Sequence, residues 1–134
     1  MTGCGCAPAA SARLSIIDFI ERGYARRRRP PLAVAGSWQE DDEGRRVRFS
    51  LAVAGGVIGE VGFEAPSCTT LVAYCELAAE RVTGLSLRDA VRRSGATELL
   101  ALLPHVPPYK RALARLASAG MLAALAQSAK GDSG

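Results

Sequence analysis

Aromatic residues, histidine and long apolar runs are all scarce in this chain, and each shortage removes a class of function. Three phenylalanines, three tyrosines and one tryptophan are its whole aromatic content. None of them interleaves the four adjacent arginines Arg26, Arg27, Arg28 and Arg29, so a base-stacking track for nucleic acid is missing there. His105 is the only histidine, which leaves a thiol enzyme without a convincing general base. The expected role is therefore not enzymatic. No apolar run approaches the about 20 residues that a membrane-spanning helix needs. No basic segment leads into an apolar stretch at the start, so no secretory leader is expected. Internal repeats and long low-complexity segments are absent as well.

What is present describes a globular domain. The 134 residues are 49% hydrophobic and 22% charged, with a net charge of +4. That length suits one domain with a core of its own, and the mild positive charge permits an acidic partner without requiring one. The expected organisation is a tail over 1–10, a single domain over 11–128 and a second tail over 129–134. Four cysteines without a leader point to thiols or metal ligands rather than disulfides, and to a reducing cytoplasm.

The N-terminal segment holds Cys4-Gly5-Cys6, two thiols that could share a soft metal ion or be incidental to a tail. Ser11 to Tyr24 has helical spacing, with Leu14, Ile17 and Ile20 on the face to be buried, beside Ile16 and Phe19. The arginine run follows. It is read as a solvated or partner-facing patch, with an acidic partner preferred over nucleic acid. Pro30 and Pro31 then stop the helix. Leu32 to Ser37 is a candidate edge strand, and Glu40-Asp41-Asp42-Glu43-Gly44 is an acidic, hydrated turn.

Arg46 to Ala54 alternates, with Val47, Phe49, Leu51 and Val53 on one side and Arg46, Arg48 and Ser50 on the other. Gly55-Gly56 is a hairpin signal, and Val57, Val61 and Phe63 mark the return strand. At Pro66-Ser67-Cys68 the period changes from two to 3.6. Leu71, Val72, Cys75, Ala78, Ala79 and Val82 form one helical stripe. Gly84 ends that helix, and Ser86 with Asp89 caps the next. Helices are expected over Leu87–Arg93, over Ala96–Leu103, and from Pro108 to about Gln127. The fold class is α+β, a small antiparallel sheet covered on one face by helices.

Three segments together resemble the IscU/NifU N-terminal family of iron–sulfur cluster assembly scaffold proteins. Cys68 stands at the strand–helix turn, followed by Gly84-Leu85-Ser86-Leu87-Arg88-Asp89-Ala90. Ser15-Ile16-Ile17-Asp18-Phe19 is similar to the family's opening helix, and Val106-Pro107-Pro108-Tyr109-Lys110 to the entry of its last helix. The likeness runs from about Leu14 to Gln127. The family also presents two further cysteines, an aspartate and a histidine. At those positions this chain has Glu43 and Arg45 before the first long strand, and Ala112 and Leu113 after Lys110.

The resemblance implies a site around Cys68, with Lys110 beside it. Metal ligands would come from Cys68, His105, Glu43, Cys4 and Cys6, for a zinc or iron ion or a transient iron–sulfur cluster. Cys68 at a helix start would carry thiolate character, whereas Cys75 belongs to the core. The expected function is a divergent scaffold-like protein that holds iron, zinc or sulfur transiently and works with a cysteine desulfurase or other assembly proteins. The alternative is a non-catalytic interaction or adaptor protein that kept the fold and lost the ligands.

Overall fold

The computed structural model describes residues 16–133, with side chains through Lys130; Cys4, Cys6 and the expected helix cap Ser11 lie outside the described residues. In order, the elements are helix α1 (Ile16–Arg27), strands β1 (Val34–Ala35), β2 (Gln39–Glu40), β3 (Arg46–Ala54) and β4 (Val57–Glu64), and helix α2 (Thr69–Val82). Helices α3 (Leu87–Arg92) and α4 (Ala96–Leu102), a 3₁₀ turn (Pro108–Lys110) and helix α5 (Ala112–Ser133) follow.

The sheet is antiparallel and centred on β3, which pairs with β4 on one side and with β1 and β2 on the other. Gly55 and Gly56 have φ of +61° and +77°, the left-handed pair that a tight hairpin requires. Phe49 faces Phe63 and Leu51 faces Val61, as the alternation implies. The register then slips: Ala52 pairs with Glu60 and Val53 with Ile58, so Gly59 is an extra, bulged residue. A bulge reverses which side chains face inward. Ile58 is therefore fully buried, and Val57, expected inside, is 41% exposed.

Helices cover the apolar face of the sheet. α5 lies flush on β3 at Gly120, where a Cβ would stand 2.8 Å from Val47 Cγ2 and 3.0 Å from Phe49 Cδ1. On the opposite face Arg46 and Arg48 lie over the Trp38 ring, at 4.6 and 4.8 Å from its centre. Ser50 points to that polar side as expected, yet it is buried, because the Leu32 N–H donates to its hydroxyl at 2.9 Å.

α2 is the central element. The sequence suggests one apolar stripe, but every residue from Thr70 to Ala79 is buried, since α1, β4 and α5 pack around it. α1 sits against it at Gly23, where a Cβ would come within 2.6 Å of Val72 Cγ1. Phe19 and Gly23 are the buried line of α1, whereas Ile17, expected in the core, is 63% exposed.

The arginine run divides in two. Arg26 grips the buried Glu76 carboxylate with Nε and Nη2, at 2.6 and 3.0 Å, while Nη1 donates to the Val61 carbonyl at 2.6 Å. Arg27 donates to the Ala65 carbonyl at 2.5 Å. These two arginines belong to the helix and hold it against β4 and the residues just beyond it, so the reading of all four as a partner-facing patch is corrected. Arg28 and Arg29 alone are exposed. Outside this pair, Arg22 and Glu80 meet at 2.6 and 3.0 Å.

The helix ends follow the capping residues. Gly84, at φ +87°, turns the chain after α2, and its N–H donates to the Ile58 carbonyl at 2.7 Å. Ser86 caps α3 by accepting from the Asp89 N–H at 3.2 Å. Pro108 opens the 3₁₀ turn rather than the last helix, which begins at Ala112. That helix continues to Ser133, so 129–133 is helical where a tail was expected.

Burial pushes the Glu76 carboxyl up to about 7; Arg26 pulls against it, and the hydrogen bond with Glu80 adds to the rise. A carboxyl raised in the folded state favours folding while it is protonated, and loses that advantage as pH rises from its unfolded value to its folded one. Relative to Glu76→Gln, the wild-type protein should therefore lose stability between about pH 4.5 and about 7 and level off above, measured by urea unfolding at several pH values. Above that window Arg26→Ala should cost about 3–5 kcal/mol, because it strands a buried carboxylate.

Candidate functional site

Cys68 is the residue at which strand geometry gives way to helix. Its backbone is extended, at φ −113° and ψ 111°, and its carbonyl accepts the first helical bond of α2 from the Val72 N–H at 2.8 Å. Pro66 sets up this turn, with its carbonyl accepting from the Cys68 N–H at 2.8 Å. A Ser, Thr or Asp at this position would cap the helix with its side chain. The Cys68 thiol makes no capping bond and is half-buried. It thus stands at the helix-capping position, one residue before the first helical residue, at the end of the molecule where Tyr24 and Ser67 join α1 to the turn at 3.1 Å.

The acidic turn comes to the same place. Asp41 accepts from the N–H groups of Glu43 and Arg45, at 3.0 and 2.8 Å, and pairs with Arg45 Nε at 2.8 Å. Gly44, at φ +84°, closes the loop. Against the penalty of its own desolvation, these hydrogen bonds hold the Asp41 carboxyl below its ordinary value. Arg45 reaches across to Glu43 at 3.0 Å. Its guanidinium is raised above its ordinary value, first by the bond to Asp41 and, with lesser weight, by the charges of Asp41, Glu43 and Cys68. Arg45 therefore lies within electrostatic range of Cys68. Asp41 and Glu43 already hold that guanidinium, so it brings no unpaired positive charge to the thiol.

Each of the other expected site residues has its own setting. Glu43 is turned onto Arg45 and largely exposed. His105 is exposed in the loop after α4. Lys110 ends the 3₁₀ turn half-buried, its ammonium 5.9 Å from the centre of the Tyr109 ring. Among the described residues no three His, Cys, Asp or Glu side chains gather as a metal ion would need. Ala112 is exposed and carries no donor, and Leu113 is buried in the core. A cluster requires about three or four ligands around one point. Among the described residues one thiol, Cys68, does not supply that set.

Cys75, two turns along α2, has no exposed surface, and burial pushes its thiol well above the ordinary range. It is a core residue. Arg45 was not selected as a site residue from sequence. The signal for it was the spacing Asp41-x-x-Gly44-Arg45, which permits a side chain at the turn's start to bind the backbone at its end.

No known family profile and no curated protein matches this sequence. Solved structures do match it. The N-terminal part of a nitrogen-fixing NifU-like protein from Brucella abortus superposes with a TM-score of 0.52 at 20% identity, over 89% of this chain and 99% of that one. A putative iron–sulfur cluster assembly scaffold protein for the SUF system from Fervidobacterium islandicum gives 0.58 at 15% identity, over 80% and 93%. These likenesses show the fold: this chain has the architecture of NifU-like and SufU scaffold structures.

Proposed function

We propose that this chain is a divergent scaffold-like protein of iron–sulfur assembly that carries sulfur transiently on Cys68 and does not build a cluster. The observation that carries this reading is the half-buried Cys68 thiol at the start of α2, which makes no capping bond. The fold neighbours named as NifU-like and SUF-system scaffold proteins support the general role. The donor is a cysteine desulfurase. The Cys68 thiolate attacks the outer sulfur of the donor's persulfide, the donor's own thiolate leaves, and Cys68 holds the sulfur for a thiol acceptor. A single zinc or iron ion would bind the same thiol weakly, with Glu43, His105 or the thiols of Cys4 and Cys6 as further donors. The protein is not itself an enzyme in this reading, and it works in the cytoplasm.

A second reading has one observation in its favour. Ala112 and Leu113 place side chains without donors at two of the ligand positions that the resemblance implies. On that reading the chain is an adaptor that binds assembly proteins without handling sulfur or metal.

Incubation with iron and sulfide under reducing conditions, followed by gel filtration in air, should leave no cluster absorbance. Titration should find at most about one weakly bound divalent metal, with zinc as good as iron. A cluster that survives gel filtration would contradict the proposal.

Alkylation separates the two thiols of α2. In protein lacking Cys4 and Cys6, iodoacetamide should label Cys68 in the native state and Cys75 only after denaturation. Cys75→Ser should keep that reactivity and cost about 1–3 kcal/mol through its buried hydroxyl. Equal native labelling of both would remove the case for Cys68.

A further inference from the structure

Among the described residues, cations outside every ion pair stand in the arginine run and also in a second group around the start of α5. Arg93 at the end of α3, Lys110 at the end of the 3₁₀ turn, and Arg111 and Arg115 at the start of α5 are in none of the ion pairs. All are exposed except the half-buried Lys110. One hydrogen bond places them together: the Ser118 hydroxyl of α5 donates to the carbonyl of Ser94, the residue after Arg93. Arg115 is one turn before Ser118, and Arg111 one turn before that, so the basic side chains follow one edge of α5 to its start.

The position of Lys110, Arg111 and Arg115 has a local cost. The first turn of α5 contains no acidic residue, and cations at a helix N-terminus oppose its dipole by about 0.3–1 kcal/mol each. Cations that break a local rule without a carboxylate partner mark surfaces used for something else; within the fold Arg111 only donates to the Val106 carbonyl, at 3.3 Å. Two large apolar side chains are exposed on these same elements: Tyr109 at 81%, beside Lys110, and Val91 at 50%, on α3. Arginine and tyrosine are the side chains that anchor protein interfaces.

We propose that the ridge running from Arg93 along the start of α5 to Lys110 docks an acidic protein segment, with carboxylates on the cations and an apolar side chain against Tyr109. A carboxylate-rich partner supplies the negative charge that the helix start lacks. The ridge from Arg111 to Ser118 is only about 10 Å long. That is short for the regular phosphate track of a nucleic acid, and it is bordered by apolar groups.

Fluorescence anisotropy with short labelled peptides tests this without metal or sulfur, so its outcome is independent of Cys68 chemistry. Polyglutamate should bind, and glutamate interspersed with leucine should bind more tightly. Arg93→Glu with Arg115→Glu should weaken both at least about tenfold. Arg28→Glu with Arg29→Glu, an equal change of charge elsewhere, should stay within about twofold. Tyr109→Ala should erase the advantage of the leucines. Absence of binding, equal loss in the two double variants, or tighter binding of a single-stranded oligonucleotide of the same charge would each overturn the proposal.

Discussion

The bidentate contact between Arg26 and Glu76 is the constraint on which the arrangement of this fold depends. Glu76 lies in the middle of α2, in a stretch buried from Thr70 to Ala79. A carboxylate there is tolerated only with a fixed cation, because an unpaired buried charge loses its hydration without return. Arg26 supplies it and at the same time binds Val61 of β4. One side chain thus ties the first helix, the central helix and the outer strand together. Arg27 continues the attachment at Ala65, which leads to Pro66 and Cys68. An exposed strand edge invites pairing with other chains. Here arginines cover the far end of β4, and the Gly84–Leu85 turn covers the near end.

The site inherits its position from that framework. Because α1 fixes α2 from one side and α5 from another, the start of α2 is held at the end of the sheet, and Cys68 with it. The acidic turn before β3 reaches the same end, with Asp41 and Glu43 both satisfied by Arg45. One thiol can carry one sulfur, and a metal cluster would need donors that the described residues do not gather there.

Much of the fold was legible in the sequence. The β3–β4 hairpin, the glycine turn between its strands, the end of α2 at Gly84 and the Ser86 cap follow from period and turn chemistry, which are local properties. What was not legible depends on distant partners. Arg26 looks like part of a solvated charge run because Glu76 is 50 residues away. The burial of all sides of α2 is decided by three neighbours, so a stripe is all that its own spacing can show. Ile58 and Val57 exchanged places because a single bulged glycine reverses strand parity. At the site, Cys68 was visible through the strand-to-helix switch, whereas Arg45 depends on where the acidic turn folds in space. Of the further ligands, Glu43 was placed by the resemblance and is held by Arg45, and His105 was chosen by residue type and stands exposed in its loop.

The central claim is that Cys68 is the chain's sulfur-bearing residue. Its most direct test is mass spectrometry of the intact protein and its peptides after incubation with a cysteine desulfurase and cysteine. The account expects one added sulfur in the folded domain, on Cys68, and none there in Cys68→Ser. Sulfur on Cys75, or none on Cys68 while the desulfurase turns over, would contradict it.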